Sequence, residues 1–187
     1  MKSTGRTMTL SGQMPKRLFG AGLHRDPYTI LEYANVLDIS KAWKLLDFKC
    51  WIQEDSQNLG AFSEPFQFGL DVQLATDVIP DEPMWNNAGD NRAVGFGTLT
   101  YYVGDGQYKP AISFTGASRM LMHESYWMKD DHVIQNRLDI SAAAKGNNTV
   151  ESLEGYTLNY IVNLEEIDIT ATESIVYNIK SKAQDLS

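Results

Sequence analysis

The chain has 187 residues, of which 43% are hydrophobic and 21% are charged. This composition is typical of a globular domain rather than a disordered chain, and the length suits one domain with a sizeable core. No apolar run approaches the ~20 residues that a membrane-spanning helix needs, and no segment has the pattern of a secretory signal. Cys50 is the one cysteine, which excludes an internal disulfide framework and favours a reducing compartment.

The charge is unevenly distributed along the chain. The formal net charge is −8, yet the first 25 residues hold five basic side chains and no acidic one, while the rest hold 11 basic and 24 acidic side chains. The basic residues of this leader are Lys2, Arg6, Lys16, Arg17 and Arg25. A segment whose charge opposes that of the body often marks an interaction arm. We therefore predict a basic N-terminal arm over residues 1–25 and a single domain over residues 26–187.

After the leader, most segments alternate between apolar and polar residues, as strands with one buried face do. PYTILEYANVL fits either a strand or a short helix. KAWKLLDFKCWIQ predicts a strand with Leu46, Phe48, Cys50 and Ile52 facing inward. PFQFGLDVQLATD predicts another strand, whose apolar alternates face the core and whose polar alternates, such as Gln73, face solvent.

Turn signals divide the next part of the chain. ATDVIPDEPMWNNAGDN contains two prolines and an Asn/Gly/Asp cluster, which predict a long ordered loop. RAVGFGTLTYYV and QYKPAISFTG, joined by Gly104-Asp105-Gly106, predict a β-hairpin, because glycines supply the positive φ angles of a tight loop. SRMLMHESYWM and HVIQNRLDISAAA predict two more strands. GYTLNYIVNLEEIDI predicts a long strand with a bulge at Glu165-Glu166, where the alternation slips.

The segment TATESIVYNIKSKAQ has helical periodicity. Thr170 and Glu173 have the spacing of a capping box, in which each side chain bonds a backbone N–H of the first turn. Ile175, Ile179 and Ala183 recur at four-residue intervals and define an apolar stripe. We predict a helix over about residues 171–184 that covers a sheet edge or packs between subunits.

Together these segments amount to about seven or eight strands and one terminal helix. Strands at this spacing predict an all-β fold, an antiparallel sandwich of the jelly-roll or Greek-key type, with one short C-terminal helix.

No motif in the sequence identifies a reaction. There is no phosphate loop, no Gly-x-Ser-x-Gly elbow and no His-Glu-x-x-His pair. Cys50 lies on the apolar face of its predicted strand, so we interpret it as a buried side chain rather than a nucleophile. The stretch from His123 to His132 leaves open a metal site in a β-barrel enzyme, but Lys129-Asp130-Asp131 within it favours a polar turn. We predict no enzyme activity, no catalytic residue, no metal and no cofactor.

Several aromatic residues lie in predicted strands and loops that could adjoin. The candidates are Trp85, Tyr101, Tyr108 and Trp127. Because a flat ring can stack on the apolar face of a pyranose, these residues are candidates for a glycan- or receptor-binding surface. The alternative is that they fill the core or a subunit interface, which is the more common role of aromatic side chains.

The basic leader has two candidate partners. Its cations could contact nucleic-acid phosphates, but they are spread along the leader and only Phe19 is available for stacking, so such binding would be weak. Alternatively, the leader could dock on the acidic body of another copy of the chain, since opposite charges steer and register association. We favour contact with another copy.

The leader MKSTGRTMTLSGQMPKR and the strand-rich remainder from Lys41 to Thr170 resemble in plan the single jelly-roll virion proteins of small or tailless viruses, including phages. In that family the sandwich tiles a shell and terminal arms join neighbouring subunits. The resemblance implies a self-assembling capsid protein, or a minor or cementing component, that is assembled in the host cytoplasm and resides in the virion. The implied partners are other copies of the chain and other virion proteins. Genome-packing arms are usually more basic than this leader, which favours shell contacts over genome binding.

Overall fold

The structure, a computed structural model, describes residues 1–14, 27–32, 40–54, 66–79, 85–103, 119–146 and 156–182. These residues form eight β-strands and one α-helix. The strands are β1 (Lys2–Met14), β2 (Tyr28–Glu32), β3 (Lys41–Glu54), β4 (Phe66–Ala75), β5 (Ala93–Val103), β6 (Arg119–Met128), β7 (Arg137–Gly146) and β8 (Tyr156–Asp168), and the helix is α1 (Ala171–Lys182). The predicted all-β class and the terminal helix are confirmed. The second half of the predicted hairpin, after Val103, lies outside the described residues.

The strands form two antiparallel sheets. The three-stranded sheet has the order β1-β8-β3, and the five-stranded sheet has the order β2-β7-β4-β5-β6. A jelly roll can be drawn as an antiparallel ribbon that pairs strand 1 with 8, 2 with 7, 3 with 6 and 4 with 5, and then rolls so that 8 meets 3 and 7 meets 4. Every one of these pairings except that of β3 with β6 occurs here. The fold is a jelly-roll sandwich in which β6 instead pairs with β5.

The core lies between the two sheets, where the alternating patterns place it. Leu70, Val72 and Leu74 of β4 are fully buried, as predicted. At the centre, Phe48 of β3 packs against β5 at two glycines, because a Cβ atom at Gly95 or Gly97 would lie 3.1 Å or 3.4 Å from the Phe48 ring. The side chain missing at these positions lets the two sheets approach each other.

The inward face of β3 differs from the prediction at one residue. The pairing of β3 with β8 shifts register between Leu45 and Asp47. This bulge reverses the alternation, so Leu45 is buried and Leu46 is exposed. The prediction that Leu46 faces the core is wrong, since two adjacent leucines do not reveal in sequence which of them carries the bulge.

The first strand occupies residues that were predicted to form an arm. β1 pairs with β8 from Lys2 opposite Asp168 to Met14 opposite Leu158. Met14 is fully buried in the core, and Met8 and Leu10 pack against it. Residues 2–14 are therefore a strand of the sandwich, and their interpretation as an arm outside it is wrong. The rest of the predicted arm, residues 15–25, lies outside the described residues.

The bulge predicted at Glu165-Glu166 of β8 lies instead on the neighbouring strand β1, opposite Glu166. Three residues of β1, Thr4 to Arg6, stand opposite the single residue Glu166 of β8. Gly5 at the centre of this bulge has a φ angle of 77°, a conformation that glycine adopts at little cost. Glu165 and Glu166 themselves pair regularly with β3.

A loop covers part of the outer face of the five-stranded sheet. Gln73 of β4, predicted to face solvent, is buried because the segment after Trp85 lies over it. The Trp85 indole is itself buried and donates to the Ser141 hydroxyl of β7 at 3.0 Å. A buried ion pair between Asp90 and Arg92, 2.8 Å long, holds the end of this loop. The prediction of a wet face on β4 is wrong at Gln73, since residues distant in sequence cover it.

In a jelly roll, strand 6 pairs with the edge of strand 3. Here two tyrosine hydroxyl groups bond that edge of β3 instead. The Tyr126 hydroxyl of β6 donates to the Cys50 carbonyl oxygen at 2.9 Å and accepts from the Cys50 N–H at 3.0 Å. The Tyr101 hydroxyl of β5 accepts from the Ile52 N–H at 3.3 Å. Because β3 is the edge strand of its sheet, these are backbone groups that a neighbouring strand would otherwise bond. The tyrosines thus join the two sheets directly.

Helix α1 begins with the predicted capping box. The Glu173 N–H donates to the Thr170 hydroxyl at 3.2 Å, and the Thr170 N–H donates to the Glu173 carboxylate at 2.8 Å. Tyr177 of the helix packs on a small apolar cluster at the ends of β3 and β8. The cluster consists of Ala42, Val133, Ile167 and Ile169. The helix is therefore attached to the three-stranded sheet.

We expect Tyr126→Phe to lower the free energy of unfolding by about 1–3 kcal/mol, because it leaves the Cys50 N–H and carbonyl groups without their partner in a partly buried site. Urea unfolding followed by circular dichroism measures this loss. Tyr102→Phe is the matched control, since Tyr102 is exposed on the adjacent strand. Equal stability of the two variants would show that the Tyr126 hydroxyl does not hold β3.

We expect Met14→Ala to destabilise the protein by about 2–5 kcal/mol, because it removes a fully buried side chain from the core. Thr7→Ala, at an exposed position of the same strand, should change stability by less than about 0.5 kcal/mol. The same urea titration compares them. If Met14→Ala proved as stable as Thr7→Ala, β1 would not be part of the core and the arm interpretation would be restored.

Candidate functional site

The described cations of the leader lie on β1. Lys2 is exposed, and Arg6 is largely exposed with its Nη1 atom 3.7 Å from the Glu166 carboxylate of the same chain. Lys16, Arg17 and Arg25 lie outside the described residues. The leader was predicted to contact acidic residues of another copy. At Arg6 it contacts an acidic residue of its own chain instead.

Glu166 connects three strands at this point. Its carboxylate accepts from the Thr4 hydroxyl of β1 at 2.9 Å and from the Lys41 ammonium of β3 at 3.3 Å. The hydrogen bond from Thr4 is the main reason that the pKa of Glu166 lies below its ordinary value, and Lys41 and Arg6 lower it further. The ionised carboxylate thus fastens the start of β1 to β8 and β3.

The other side of β1 is a free edge in the described structure. Within the described ranges β1 pairs with β8 alone. From Thr7 to Met14 the strand has a regular register and carries no charged residue and no proline. Charges, prolines and bulges are the usual means by which an edge strand avoids pairing with another chain, and this stretch has none of them.

Helix α1 turns its apolar stripe away from its own sandwich. Ile175, Val176 and Ile179 are 60%, 54% and 61% exposed. The residues that face the body are Ser174, which accepts a hydrogen bond from Gln135 at 2.7 Å, and Tyr177. An amphipathic helix usually buries its apolar stripe. Of the predicted stripe, Ile175 and Ile179 share one exposed face, and Ala183 lies outside the described residues.

The helix and β1 adjoin. The amino group of Met1 lies 3.1 Å from the Glu173 carboxylate, and the Tyr177 hydroxyl contacts the Met1 sulfur at 3.3 Å. We call this junction the β1–α1 corner. It joins Glu173 and Tyr177, on the face of the helix opposite the exposed stripe, to the residue that precedes β1.

The structure separates the four predicted aromatic residues. Trp127 is 56% exposed on β6. Trp85 is buried over β7, and Tyr101 is buried with its hydroxyl bonded to β3. Tyr108 lies outside the described residues. The predicted aromatic surface is therefore not formed by this set, and only Trp127 of the three described members is available to a ligand.

Trp127 nevertheless lies in a groove that sequence reasoning did not find. The groove has a volume of about 480 Å³ and runs between the outer face of β5 and β6 and the loop after Trp85. Its walls include Asn86, Phe96, Thr98, Trp127, Met128 and Lys129. Phe96 and Trp127 are directly opposite each other in the β5–β6 pairing. The sequence did not indicate that Phe96 faces outward, because the glycines on either side of it interrupt the alternation of apolar and polar residues.

Polar groups accompany the two rings in this groove. The Lys129 ammonium lies 5.9 Å from the centre of the Phe96 ring and donates to the Asp90 carbonyl oxygen at 2.6 Å. Partial burial lowers the pKa of Lys129 from its ordinary value. The Thr98 hydroxyl donates to the Asp71 carboxylate at 3.2 Å. The groove therefore combines apolar surface with positioned hydrogen-bonding groups.

The residues considered for catalysis do not converge. His123 is exposed on β6, with its Nε2 atom 2.9 Å from the Ser125 hydroxyl. His132 lies in the turn after β6 and bonds Asp131 at 2.7 Å, and Asp131 also binds Lys180 of α1. Burial raises the pKa of the Cys50 thiol to about 12, so it stays protonated at neutral pH. The interpretation of Cys50 as a buried side chain is confirmed.

Comparisons with known proteins give no family for this chain. No protein-family model matches it, and a search of the curated proteins finds no similar sequence. Within the described ranges, no group of three or more His, Cys, Asp or Glu side chains is placed to hold a metal ion. Among those same residues, no helix has the length and apolar character to cross a membrane.

We expect Glu166→Gln to reduce the loss of stability at acid pH. A carboxylate with a lowered pKa in the folded state stabilises the protein above its ordinary pKa of 4.5, and this stabilisation is lost as the pH falls through the lower, folded value. The melting temperature, measured from about pH 7 down to about pH 3, should therefore fall more steeply for the unchanged protein than for the variant. Asp130→Asn, at an exposed turn position, is the control. Parallel curves for all three proteins would contradict the role of Glu166.

Proposed function

We propose that this protein is a self-assembling structural subunit, a capsid protein or a minor or cementing component of a virion, and that β1 and α1 join its copies. The proposed partners are other copies of the chain and other virion proteins. The proposal keeps the N-terminal segment as the joining element, but as an edge strand rather than as a loose arm.

The observation that carries the proposal is the outward stripe of α1. Three neighbouring β-branched side chains are more than half exposed, while the helix is attached to its own sandwich through Ser174 and Tyr177. Exposed apolar surface of this kind marks an interaction site. The same chain offers a second unpartnered element in the free edge of β1 from Thr7 to Met14, and two such surfaces favour a protein partner over a small ligand.

A second copy is the partner that this edge fits best. Antiparallel pairing of two β1 strands across a two-fold axis would extend the three-stranded sheet into the neighbouring subunit, using main-chain groups that any strand carries. The stretch from Thr7 to Met14 is uncharged, so it would not repel a copy of itself. Nucleic acid is a weaker candidate, because Arg6 already pairs with Glu166.

The jelly-roll strand order supports the proposal without deciding it. Viral capsid domains use this architecture, as do lectin domains and cupins, so the fold alone does not assign a function. The resemblance in plan to single jelly-roll virion proteins also favours a structural role in a virion. A second candidate function, a glycan- or receptor-binding module, is favoured by the aromatic groove.

We expect the purified protein to form defined oligomers at micromolar concentration, and the double variant Ile175→Ser/Ile179→Ser to raise the dissociation constant at least about tenfold, because it removes the apolar contact. Sedimentation velocity and native mass spectrometry measure the species present. The variant should keep its circular dichroism spectrum and melting temperature, since these side chains are exposed in the single chain.

Val78→Ser is the control for this experiment, as Val78 is exposed in the loop after β4 and belongs to neither surface. Ser11→Lys tests β1 separately, because it places a charge on the uncharged stretch from Thr7 to Met14. A protein that stays monomeric at about 100 µM, a concentration at which a micromolar complex would be nearly saturated, would overturn the proposal. Oligomers that neither the helix variant nor the β1 variant weakens would also overturn it.

A further inference from the structure

The groove beside Trp127 has one wall of aromatic surface. The Trp127 side chain on β6 is 56% exposed. By contrast, Trp85, in the loop over the same face of the sheet, is buried. Phe96 lies beside it in register on β5. Exposing a tryptophan next to a second ring leaves a large apolar surface in water, which is costly unless a ligand covers it.

The rest of the groove presents hydrogen-bonding groups. Asn86, Thr98 and Lys129 are among its walls. The Lys129 ammonium has three protons, and the hydrogen bond to the Asp90 carbonyl oxygen uses one of them. Thr98 is held by Asp71 at 3.2 Å, so its hydroxyl oxygen can still accept a hydrogen bond. Donors and acceptors therefore stand at the border of the aromatic surface.

A buried amide with an unused donor lies next to two of the residues that line the groove, Phe96 and Asn86. Gln73 is 1% exposed and is the cross-strand neighbour of Phe96 on β4. Its Oε1 atom accepts from the Asn86 N–H at 3.1 Å, whereas its Nε2 atom has no hydrogen-bond partner in the described chain. Asn86 has a φ of 58°, a left-handed conformation that asparagine adopts in turns more readily than most residues. The hydrogen bond to Gln73 therefore holds the turn that forms one wall of the groove.

We propose that this groove binds a pyranose ring of a glycan, stacked on Trp127. A pyranose has one face of C–H groups and a rim of hydroxyl groups that both donate and accept. The C–H face matches the indole surface, and the hydroxyl rim matches Asn86, Thr98 and Lys129. A wholly apolar partner would leave these polar groups without water or protein partners, at a cost that a sugar avoids. The volume of about 480 Å³ accommodates one or two sugar residues.

This site is distinct from the surfaces proposed for assembly. The groove belongs to the outer face of the five-stranded sheet, whereas the β1–α1 corner belongs to the three-stranded sheet. Glycan binding and self-assembly can therefore be tested independently, and failure of one leaves the other unaffected.

The test uses the full chain on a printed glycan array and, in solution, saturation-transfer NMR with the methyl glycosides of glucose, galactose, mannose, N-acetylglucosamine and glucuronic acid. We expect binding of at least one sugar, with the strongest saturation on the ring C–H protons that face the indole. Trp127→Ala should weaken that binding at least about tenfold, because it removes the stacking surface. Trp127→Tyr should retain part of it, since a smaller ring remains.

Trp51→Ala is the matched control. Trp51 is 42% exposed, but it lies on β3 of the other sheet and is not part of the groove. Binding that survives Trp51→Ala and is lost in Trp127→Ala supports the proposal. No binding on the array or in solution would overturn it, as would binding that Trp127→Ala leaves unchanged.

Discussion

The pair of hydrogen bonds between the Tyr126 hydroxyl and the Cys50 backbone is the interaction on which the arrangement of the two sheets depends. In a jelly roll, strand 6 would bond the backbone groups at this edge of β3. Here the Tyr126 side chain bonds both the Cys50 N–H and the Cys50 carbonyl group. The Tyr126 ring also packs edge-on against Phe48 with ring centres 4.9 Å apart, and the Lys49 ammonium lies over it at 4.6 Å. Because the edge is satisfied in this way, β6 is free to pair with β5 and to widen the second sheet.

The aromatic groove forms because β6 pairs with β5 rather than with β3. Trp127 is the residue after Tyr126, so the tyrosine that points inward to β3 directs the tryptophan to the outer face. Pairing of β6 with β5 then places Trp127 opposite Phe96. If β6 had paired with β3, the two rings would belong to different sheets and no groove of this composition would exist. A structural contact in the core therefore determines the surface that we propose binds a sugar.

The opposite side of the molecule is organised by charge. The basic leader and the acidic body do attract each other, and Glu166 is where they meet: it binds Thr4 and Lys41 and lies near Arg6. The attraction is used within the chain to hold the bulged start of β1. In the described part of this side, the uncharged stretch of β1 and the apolar stripe of α1 remain exposed to a partner. An assembly built on these surfaces would rest on main-chain pairing and apolar burial more than on opposite charges.

The sequence by itself determined the local structure of this protein. Alternation located most of the strands and the buried face of β4, and the capping box located the start of α1, because these signals depend on residues close together in the chain. It could not assign the bulge at Leu46, the burial of Gln73, the outward stripe of α1 or the groove at Trp127. Each of these depends on contacts between segments that are apart in the chain: the bulge at Leu46 lies where Asp47 pairs with Asn163, and the groove forms where Phe96 pairs with Trp127. Only the tertiary structure decides which edges are satisfied and which faces are covered, since the free energy of those contacts is realised only when the sheets pack.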